Sequence, residues 1–356
     1  MQFQPTKIDY TNSATIDWLR FSLPVSCISA VWQKLHFSVK WDDWQESRIY
    51  GKKVAQRVCD GVLIACDSIP IGRADPETGE IDLAIMGDRF IVDFSGSGLG
   101  AWFRLHGDSP LDLIRYFQEV CPDDYRINRL DLAFDDHAGY LNLRKVAKTV
   151  LYTDRFISRW KRAEMINQYN LRVATRHLLG DAGATLYIGD RKSTSFCRIY
   201  DKRVQELERG ATGEDLPPHW VRLELEYKAE RAKAVANKLI DHPNPAKQAC
   251  QILRGQMDFK SAKGEARIRD REPVRWWKRF TGSCGKTLIR VPREVSTLKR
   301  KTEWLENSVS PTLALVTMSK DELQDPEQIA WLDQLIDYGE RRLTANQLSL
   351  LQQHSS

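Results

Sequence analysis

The sequence predicts an α+β fold, in which helices flank a mostly antiparallel central sheet and a helical extension follows at the C-terminus. Three observations support this. Strand-like and helix-like segments are mixed without the regular βα alternation of a doubly wound fold. The clearest strand candidates alternate polar and apolar residues, as half-buried strands do. Beyond about Pro311 only helix-like segments remain.

The first 120 residues predict strands and helices in mixed order. Aromatic and branched residues predict the first strand, and Gly87-Asp88 predicts a tight hairpin between two alternating runs. The glycine-rich Ser95–Gly100 (SGSGLG) is expected to form a flexible bend, and Asp108-Ser109-Pro110 is a typical helix start. The elements are strand Ala14–Leu23, helices Ser29–Leu35 and Asp42–Val58, strands Ile81–Met86 and Arg89–Phe94, and helix Leu111–Val120.

The rest of the chain predicts further strands and then helices. The two most regular strands, INRLDLAFDD and WVRLELEYK, each have one polar and one apolar face because side chains two residues apart point the same way. The elements are strand Ile127–Asp136, helix Leu143–Leu151, strands Thr185–Ile188, Ser195–Tyr200 and Trp220–Lys228, and helices Ala229–Ile240, Ala246–Leu253, Asp325–Tyr338 and Ala345–Gln353.

Composition excludes several classes of protein. No stretch reaches the roughly 18 apolar residues of a membrane helix, and no secretory signal is visible. The seven cysteines are scattered without a CxxC pair, which favours unpaired thiols in a reducing compartment. We therefore expect a cytoplasmic protein, and the lack of a membrane helix predicts no membrane partner. The seven histidines form no HxH or HxxxH pair, and no Walker or GxGxxG loop occurs.

Charge is distributed unevenly along the chain, although the formal net charge is only +5. Residues 254–303 have a net charge of +9, whereas residues 304–356 have a net charge of −5. We therefore expect a domain over 1–305, with its core at about 14–230 and a basic segment at 254–303, followed by an acidic helical tail over 306–356.

The basic segment contains RWWKRF, in which cations and aromatic residues are interleaved. This pattern suits backbone contacts and base stacking on melted DNA. The alternative is a solvated basic helix whose aromatic residues face the core. The predicted DNA contacts are Arg275, Trp276, Trp277, Lys278 and Arg279.

Four carboxylates lie on the polar faces of the two regular strands. Asp131 and Asp135 share one face of the first strand, and Glu224 and Glu226 share one face of the second. Two carboxylates about 4 Å apart repel by about 4 kcal/mol at an effective dielectric constant near 20. The four therefore predict a site for Mg²⁺ or Mn²⁺, which prefer oxygen ligands. Cross-strand ion pairing on a solvated sheet face is the alternative.

A tyrosine at the end of a strand is the candidate nucleophile. Tyr200 lies in FCRIYDK between Arg198 and Lys202, and nearby cations or a metal favour the phenolate. An ordinary core or surface aromatic residue is the alternative. The preceding turn offers Arg191, Lys192 and Ser193 as phosphate ligands, or is a solvated hairpin tip.

In order, these segments resemble the Rep_trans family of rolling-circle replication initiators, which also contains relaxases of integrative elements. The matching motifs, spanning about Ile16 to Lys228, are IDWLRFSL, FSGSGLGAW, INRLDLAFDD, ATLYIGDRKS, RIYDK and WVRLELEYK. The resemblance implies an HUH-nickase-like fold and a site-specific DNA nickase that acts at a phage or plasmid origin. A tyrosine would attack the scissile phosphate and become joined to the 5′ end.

Within this resemblance Tyr200 is the expected nucleophile, with Tyr187 as the second choice and Tyr227 as the third. Lys202, Arg198 and Arg191 would stabilise phosphate charge. Origin DNA is the expected partner, and a host helicase is a further partner of such an initiator; the oligomeric state stays open. A conjugative relaxase and a non-catalytic origin-binding regulator are the alternative functions.

Overall fold

Within the residues that the computed structural model describes, ten strands form one antiparallel sheet. The described residues are 14–36, 45–49, 52–59, 61–70, 83–122, 124–167, 183–214, 216–262, 267–282, 301–302, 305–322 and 328–343. The strands are β1 (Ala14–Pro24), β2 (Gln45–Ile49), β3 (Lys52–Cys59), β4 (Val62–Pro70), β5 (Leu83–Phe94), β6 (Arg126–Asp136), β7 (Phe156–Ser158), β8 (Ala163–Ile166), β9 (Thr185–Ile188), β10 (Ser195–Asp201), β11 (Val221–Lys228) and β12 (Met257–Phe259). The order in the large sheet is β2-β3-β4-β5-β1-β6-β11-β10-β9-β8, while β7 and β12 pair separately.

The helices complete the predicted α+β class. They are α1 (Ile28–His36), α2 (Gly96–His106), α3 (Pro110–Val120), α4 (Leu143–Tyr152), α5 (Lys202–Glu208), α6 (Ala229–Ile240), α7 (Pro245–Gln256), α8 (Arg275–Phe280), α9 (Ser310–Glu322) and α10 (Gln328–Glu340). The chain divides into two compact units, Met1–Val291 and Pro292–Ser356. In the described residues, none of the helices has the length and apolar composition needed to span a bilayer.

The core of the first unit lies on the apolar face of the central strands. Leu132 of β6 and Leu225 of β11 are cross-strand partners, and both are at most 1% exposed. Helix α6 packs against β6 and β11, and α3 and α7 pack beside it. Because side chains alternate along each strand, burying this face directs the polar residues of β6, β10 and β11 to the opposite face of the sheet.

Two predictions for the N-terminal half are wrong. The segment expected as a helix over Asp42–Val58 contains β2 and β3, because β3 pairs with β4 along the sheet and this pairing overrides helix propensity. The expected hairpin at Gly87-Asp88 is one strand, β5. Its pairing with β4 shifts register at this point, so the two residues occupy an irregularity in a continuous strand.

The glycine-rich Ser95–Gly100 is the start of α2 and not a flexible bend. The Ser95 side chain accepts a hydrogen bond from the Gly98 amide, which caps the helix. The Ser95 amide in turn donates to the Gly61 carbonyl at 3.1 Å. The glycines thus allow the first turn of α2 to lie directly against the backbone of the β3–β4 turn.

The cysteine expectation also needs correction. Cys27 and Cys121 form a disulfide, although the sequence suggested unpaired thiols. Cys27 follows β1 and Cys121 caps the end of α3, so the packing of α3 beside α1 brings together residues 94 positions apart. Cys197 and Cys250 are both buried.

The C-terminal unit is helical in its described part. Helix α10 confirms the segment predicted over Asp325–Tyr338, with slightly later bounds. Helix α9 begins at Ser310, near the expected domain boundary. The helix predicted over Ala345–Gln353 and residues 283–300 of the basic segment lie outside the described residues.

The close approach of α2 to the β3–β4 turn predicts unequal effects of two glycine substitutions. A Cβ at Gly98 would overlap the carbonyl group of Gly61, so Gly98→Ala should lower the free energy of unfolding by about 1–3 kcal/mol. At Gly100 the nearest atom is a guanidinium nitrogen of Arg104 at 3.5 Å, so Gly100→Ala should be neutral or stabilising by up to about 1 kcal/mol. Urea unfolding measures both; equal effects would contradict this packing.

Candidate active site

The candidate site is a lattice of charged residues on the polar face of β6, β10 and β11. The antiparallel register sets Glu226 opposite Asp131 and Arg222 opposite Asp135. It also sets Arg198 opposite Glu224. Three of the four predicted carboxylates, Asp131, Glu224 and Glu226, are buried. The two acidic strands are therefore neighbours, as a shared site requires.

Asp131 is the most deeply buried of these carboxylates. Arg129 donates to both of its oxygens, at 2.8 and 2.5 Å, and Arg198 donates to Oδ2 at 3.4 Å. Burial raises the pKa of Asp131 to about 6, although Arg129 and Arg198 act in the opposite direction. Arg129 also forms an ion pair with Glu226 at 3.2 Å, and Lys228 pairs with the other oxygen of Glu226 at 3.2 Å.

Asp135 belongs to a second cluster around Arg222. Arg222 donates to both oxygens of Asp135 at 2.7 Å, in the bidentate geometry of a strong ion pair. Trp220 donates to the same carboxylate at 2.6 Å, and Arg222 also reaches Asp17 at 2.9 Å. The structure thus separates Asp135 from the group formed by the other three carboxylates.

Tyr200 is tied directly to the carboxylate cluster. Its hydroxyl donates a hydrogen bond to Glu224 Oε1 at 2.5 Å, while Arg198 Nε donates to Oε2 of the same side chain. Burial raises the pKa of the Tyr200 phenol, and the Glu224 charge raises it further, against the smaller effects of Arg222 and Arg198. The phenol therefore stays protonated at neutral pH, with a carboxylate placed to receive its proton.

A cleft of about 820 Å³ opens over Tyr200 and Glu224. Lys202 lines it from the first turn of α5, where its ammonium group contacts Gln205 at 2.7 Å and Glu206 at 2.5 Å. Tyr187 of β9 also lines the cleft, whereas Tyr227 faces the opposite side of the sheet and is fully buried. Of the three tyrosines, Tyr200 is the one bonded to a carboxylate of the cluster.

The carboxylates do not fit a divalent cation in this arrangement. Among the described residues, no group of three Asp, Glu, His or Cys side chains is placed to hold a metal ion. Arginine occupies the oxygens that a metal would need: Arg198 lies between Glu224 and Asp131, and Arg222 holds Asp135. Guanidinium groups therefore balance the negative charge of this cluster. This arrangement corresponds to cross-strand ion pairing, which was the alternative to a metal site.

The predicted phosphate-binding turn is the exposed tip of the β9–β10 hairpin. Arg191 and Lys192 are exposed, and the Arg191 guanidinium lies 4.9 Å from the centre of the Tyr187 ring. Ser193 instead donates its hydroxyl to the Ser195 carbonyl at 2.5 Å. Arg191 and Lys192 are thus accessible at the surface, whereas the Ser193 hydroxyl is engaged within the turn.

RWWKRF forms α8, away from the cleft, and its aromatic residues belong to the core. Trp277 is fully buried and Phe280 is 3% exposed. Trp276 is half-buried and packs against Phe259 and Trp277. Base stacking by Trp277 is therefore not available in this fold, whereas Arg275 and Arg279 are exposed and Lys278 is partly so.

Several residues that line the cleft were not predicted from the sequence, among them Asp17 and Trp18. Strict alternation along β1 would place them on opposite faces of the sheet. A register shift between Ile16 and Trp18 in the β1–β6 pairing breaks the alternation, so both line the cleft. The IDW motif contains these residues, but no signal in a single sequence marks the bulge.

A buried strand tyrosine that donates to a carboxylate beneath a cleft is an arrangement suited to covalent attack on an electrophilic substrate. The family model for replication initiation factors, Rep_trans, matches residues 125–336 of the chain. The match covers more than half of the chain and includes β6, β10 and β11. The chain therefore belongs to the Rep_trans family of replication initiators and relaxases.

Two further similarities agree with this. NicK, a predicted DNA relaxase of Bacillus subtilis (strain 168), is 24% identical over 208 residues, which are 58% of this chain and 57% of NicK. The chain thus matches little more than half the length of that relative. The structure of a rolling-circle replication initiator from Geobacillus stearothermophilus is also similar, with 22% sequence identity and a TM-score of 0.57. The match covers 79% of this chain and 99% of that chain, and it confirms the fold.

The arginine-held carboxylates predict that Arg198→Ala will improve metal binding. Without this guanidinium, Glu224 Oε2 and Asp131 Oδ2 each lose the hydrogen bond that Arg198 donates to them. A unit charge about 4 Å away is worth several kcal/mol at an effective dielectric constant near 20, so Mn²⁺ should bind at least about tenfold more tightly. Titration of the DNA-free protein, followed by electron paramagnetic resonance, measures this.

The control for that titration is Arg203→Ala, because Arg203 donates to the backbone carbonyls of Pro217 and Gly213 and releases no carboxylate. It removes the same charge and should leave Mn²⁺ affinity unchanged. Wild-type protein that binds Mn²⁺ as tightly as the Arg198→Ala variant would show that Arg198 does not compete for the site.

Proposed function

We propose that this protein is a site-specific DNA nickase that starts rolling-circle replication of a phage or plasmid through a covalent phosphotyrosine intermediate. The observation that carries the proposal is the hydrogen bond from Tyr200 to Glu224 beneath the cleft. The chain's family supplies the substrate class, which is origin DNA.

The chemical step is an attack by Tyr200 Oη on the scissile phosphorus. The bond between the tyrosine oxygen and phosphorus forms while the bond to the 3′ oxygen breaks. The 5′ phosphate stays joined to Tyr200, and the departing oxygen takes a proton from water and becomes the 3′-OH that a polymerase extends. Because the pKa of Tyr200 is raised, the phenol needs a base in order to react at neutral pH.

Glu224 is the proposed base. Its Oε1 already accepts the phenolic hydrogen at 2.5 Å, so the proton needs to move only along an existing hydrogen bond. Arg198 contacts the other oxygen of Glu224 and keeps the carboxylate in place. This assignment differs from the sequence-based one, in which Glu224 was a metal ligand.

Two cations near Tyr200 are the proposed phosphate ligands. Arg198 is 29% exposed in its side chain and lines the cleft, so its guanidinium can reach a bound phosphate. Lys202 lines the same cleft two residues beyond Tyr200. Fixed cations of this kind stabilise the charge that develops on the phosphoryl oxygens.

The dependence on Mg²⁺ or Mn²⁺ that the sequence suggested stays a prediction. The proposed chemical step uses side chains of this chain and a water molecule. Glu224 accepts a hydrogen bond from Tyr200, and Arg198 and Arg129 hold Glu224, Asp131 and Glu226 in ion pairs. Adduct assays with added Mn²⁺ and with a chelator test the requirement directly.

Substitution of the tyrosines of the cleft tests the identity of the nucleophile. With a labelled single-stranded oligonucleotide that contains the origin and with Mn²⁺ present, wild-type protein should form an adduct that is stable in detergent. Tyr200→Phe should form none, because the variant keeps the ring and loses the attacking oxygen. Tyr187→Phe, which changes the other tyrosine of the cleft, is the control and should retain the adduct.

Two results would overturn this assignment. An undiminished adduct in Tyr200→Phe, together with its loss in Tyr187→Phe, would move the nucleophile to β9. Specific origin binding by the wild type without any adduct would instead indicate the non-catalytic regulator.

Substitution of Glu224 tests its role as the base. Glu224→Gln should slow adduct formation at pH 7 by about 10²–10⁴-fold, because the phenol must then ionise unaided. Glu224 raises the pKa of Tyr200, so its neutralisation lowers that pKa. The rate of the variant should therefore recover as pH rises, whereas the wild-type rate should change less. Single-turnover rates between pH 6 and 10 measure this.

Glu226→Gln is the matched control, since Glu226 contacts Arg129 and Lys228 and not Tyr200. Its rate should show no recovery at high pH that the wild type lacks. Equal, pH-independent losses in both variants would contradict a base role for Glu224 and favour a shared metal-ligand role.

A conjugative relaxase, which nicks a transfer origin by the same chemistry, is the second candidate. The similarity to NicK favours it, because NicK is described as a DNA relaxase. The chemistry of the site is the same in both cases. Nicking assays on a replication origin and on a transfer origin from the same element distinguish the two.

A further inference from the structure

A second positively charged surface lies outside the cleft, at the small β7–β12 sheet. We call it the edge surface and define it as the described residues 154–162, 254–262 and 267–282. Three segments form it, and the first of them is distant in sequence from the other two. Lys260 donates its amide to the Arg155 carbonyl at 2.7 Å, and Val274 donates to the Phe259 carbonyl at 2.9 Å. These backbone bonds make one continuous piece of structure from the three segments.

The edge surface has twelve Lys and Arg residues against four Asp and Glu residues. All four acids have a cationic partner. Asp258 is buried and pairs with Arg254 and Lys260, and Asp154 pairs with Arg271. Asp270 contacts Arg269 at 3.8 Å, and Glu272 pairs with Lys278 at 2.5 Å. The acids are therefore already engaged, and a large positive excess remains.

Six exposed cations of the edge surface have no acidic partner within the described part of the chain. They are Arg155, Arg159, Lys161, Arg267, Arg275 and Arg279. The cleft differs, because Arg198 and Arg222, which line it, are each paired with carboxylates. Positive charge that can attract an anionic polymer is thus more abundant at the edge surface than among the charged pairs beside Tyr200.

The chemistry of the edge surface selects phosphate over bases. Helix α8 anchors itself with Trp277 and Phe280, which are buried, and this leaves Arg275 and Arg279 one turn apart on the exposed side. Among the described residues, no aromatic side chain of this surface is exposed as a stacking platform. Stacking holds single strands on their binding proteins, whereas duplex DNA binds through its dense phosphate charge.

We propose that the edge surface binds the phosphate backbone of double-stranded DNA, without reading sequence, and so holds the duplex that flanks the nicked strand. This inference rests on the proposed function for its substrate. It adds a second contact, since the cleft takes the strand that is cut and the edge surface takes intact duplex. Arg162 of the edge surface pairs at 3.7 Å with Asp190 at the tip of the β9–β10 hairpin, and β10 contains Tyr200.

The test is the salt dependence of binding to a 20-base-pair duplex of random sequence. The variant Arg155→Ala/Arg159→Ala/Arg275→Ala/Arg279→Ala removes four exposed cations. Each phosphate contact that is lost should make the slope of log K against log salt shallower by about 0.9, so we expect a change of about 2 to 4 in total. Fluorescence anisotropy between 50 and 300 mM salt measures the slopes.

The matched control removes four cations of other elements, in Arg115→Ala/Arg126→Ala/Lys238→Ala/Lys247→Ala. Its slope should stay within about 0.5 of the wild type. Circular dichroism melting of both variants confirms that they are folded. An unchanged slope in the edge variant, or an equal change in the control, would overturn the proposal. Equal losses on duplex and on a single strand of the same length would overturn its duplex preference.

Failure of this inference is distinguishable from failure of the proposed function. Wild-type adduct formation with an unchanged duplex slope in the edge variant would reject the edge surface and leave the nickase intact. No wild-type adduct, together with a shallower slope in the edge variant, would reject the nickase and retain a duplex-binding surface.

Discussion

The structure of this site depends on the pairing of buried carboxylates with arginines across β6, β10 and β11. A buried carboxylate that loses its partner typically costs about 3–5 kcal/mol. Asp131 shows how large the burial penalty is, because its pKa is raised to about 6 even with Arg129 and Arg198 beside it. A slip of one residue in strand register would move each of these charges into the apolar core. The ion pairs and the apolar core therefore specify the same register.

This pairing also determines what the cleft offers to a substrate. The side chains of Asp131 and Glu224 are at most 2% exposed, and Arg129, Arg198 and Arg222 offset them, so the cleft provides fixed dipoles and hydrogen bonds with little net charge. Such an arrangement suits a chemical step, because preorganised groups need not rearrange during reaction. It suits long-range attraction of DNA poorly. Attraction of that kind would draw on cations without an acidic partner, and six of these lie on the edge surface of the same unit.

Alternation made much of the site predictable from the sequence. The polar faces of Ile127–Asp136 and Trp220–Lys228 were predicted from periodicity alone, and the structure pairs them directly. Pairing between strands far apart in sequence was not predictable, nor was the bulge that turns Asp17 toward the cleft. Local composition also misled at SGSGLG, where glycine serves a close approach of backbones and not flexibility. The predicted base stacking by the aromatic residues of α8 was wrong for a similar reason, because composition cannot reveal which side of a short helix is buried.

Within the proposed mechanism, the same lattice accounts for the reactivity of a phenol whose pKa is raised. When a phosphate enters the cleft, its oxygens can take hydrogen bonds from Arg198 that Glu224 now receives. Glu224 would then keep the hydrogen bond from Tyr200 while Arg198 contacts the phosphate. Phosphate binding and proton transfer would thus use two side chains that are already in contact. Keeping the phenol protonated until then protects the nucleophile from reacting before DNA is in place.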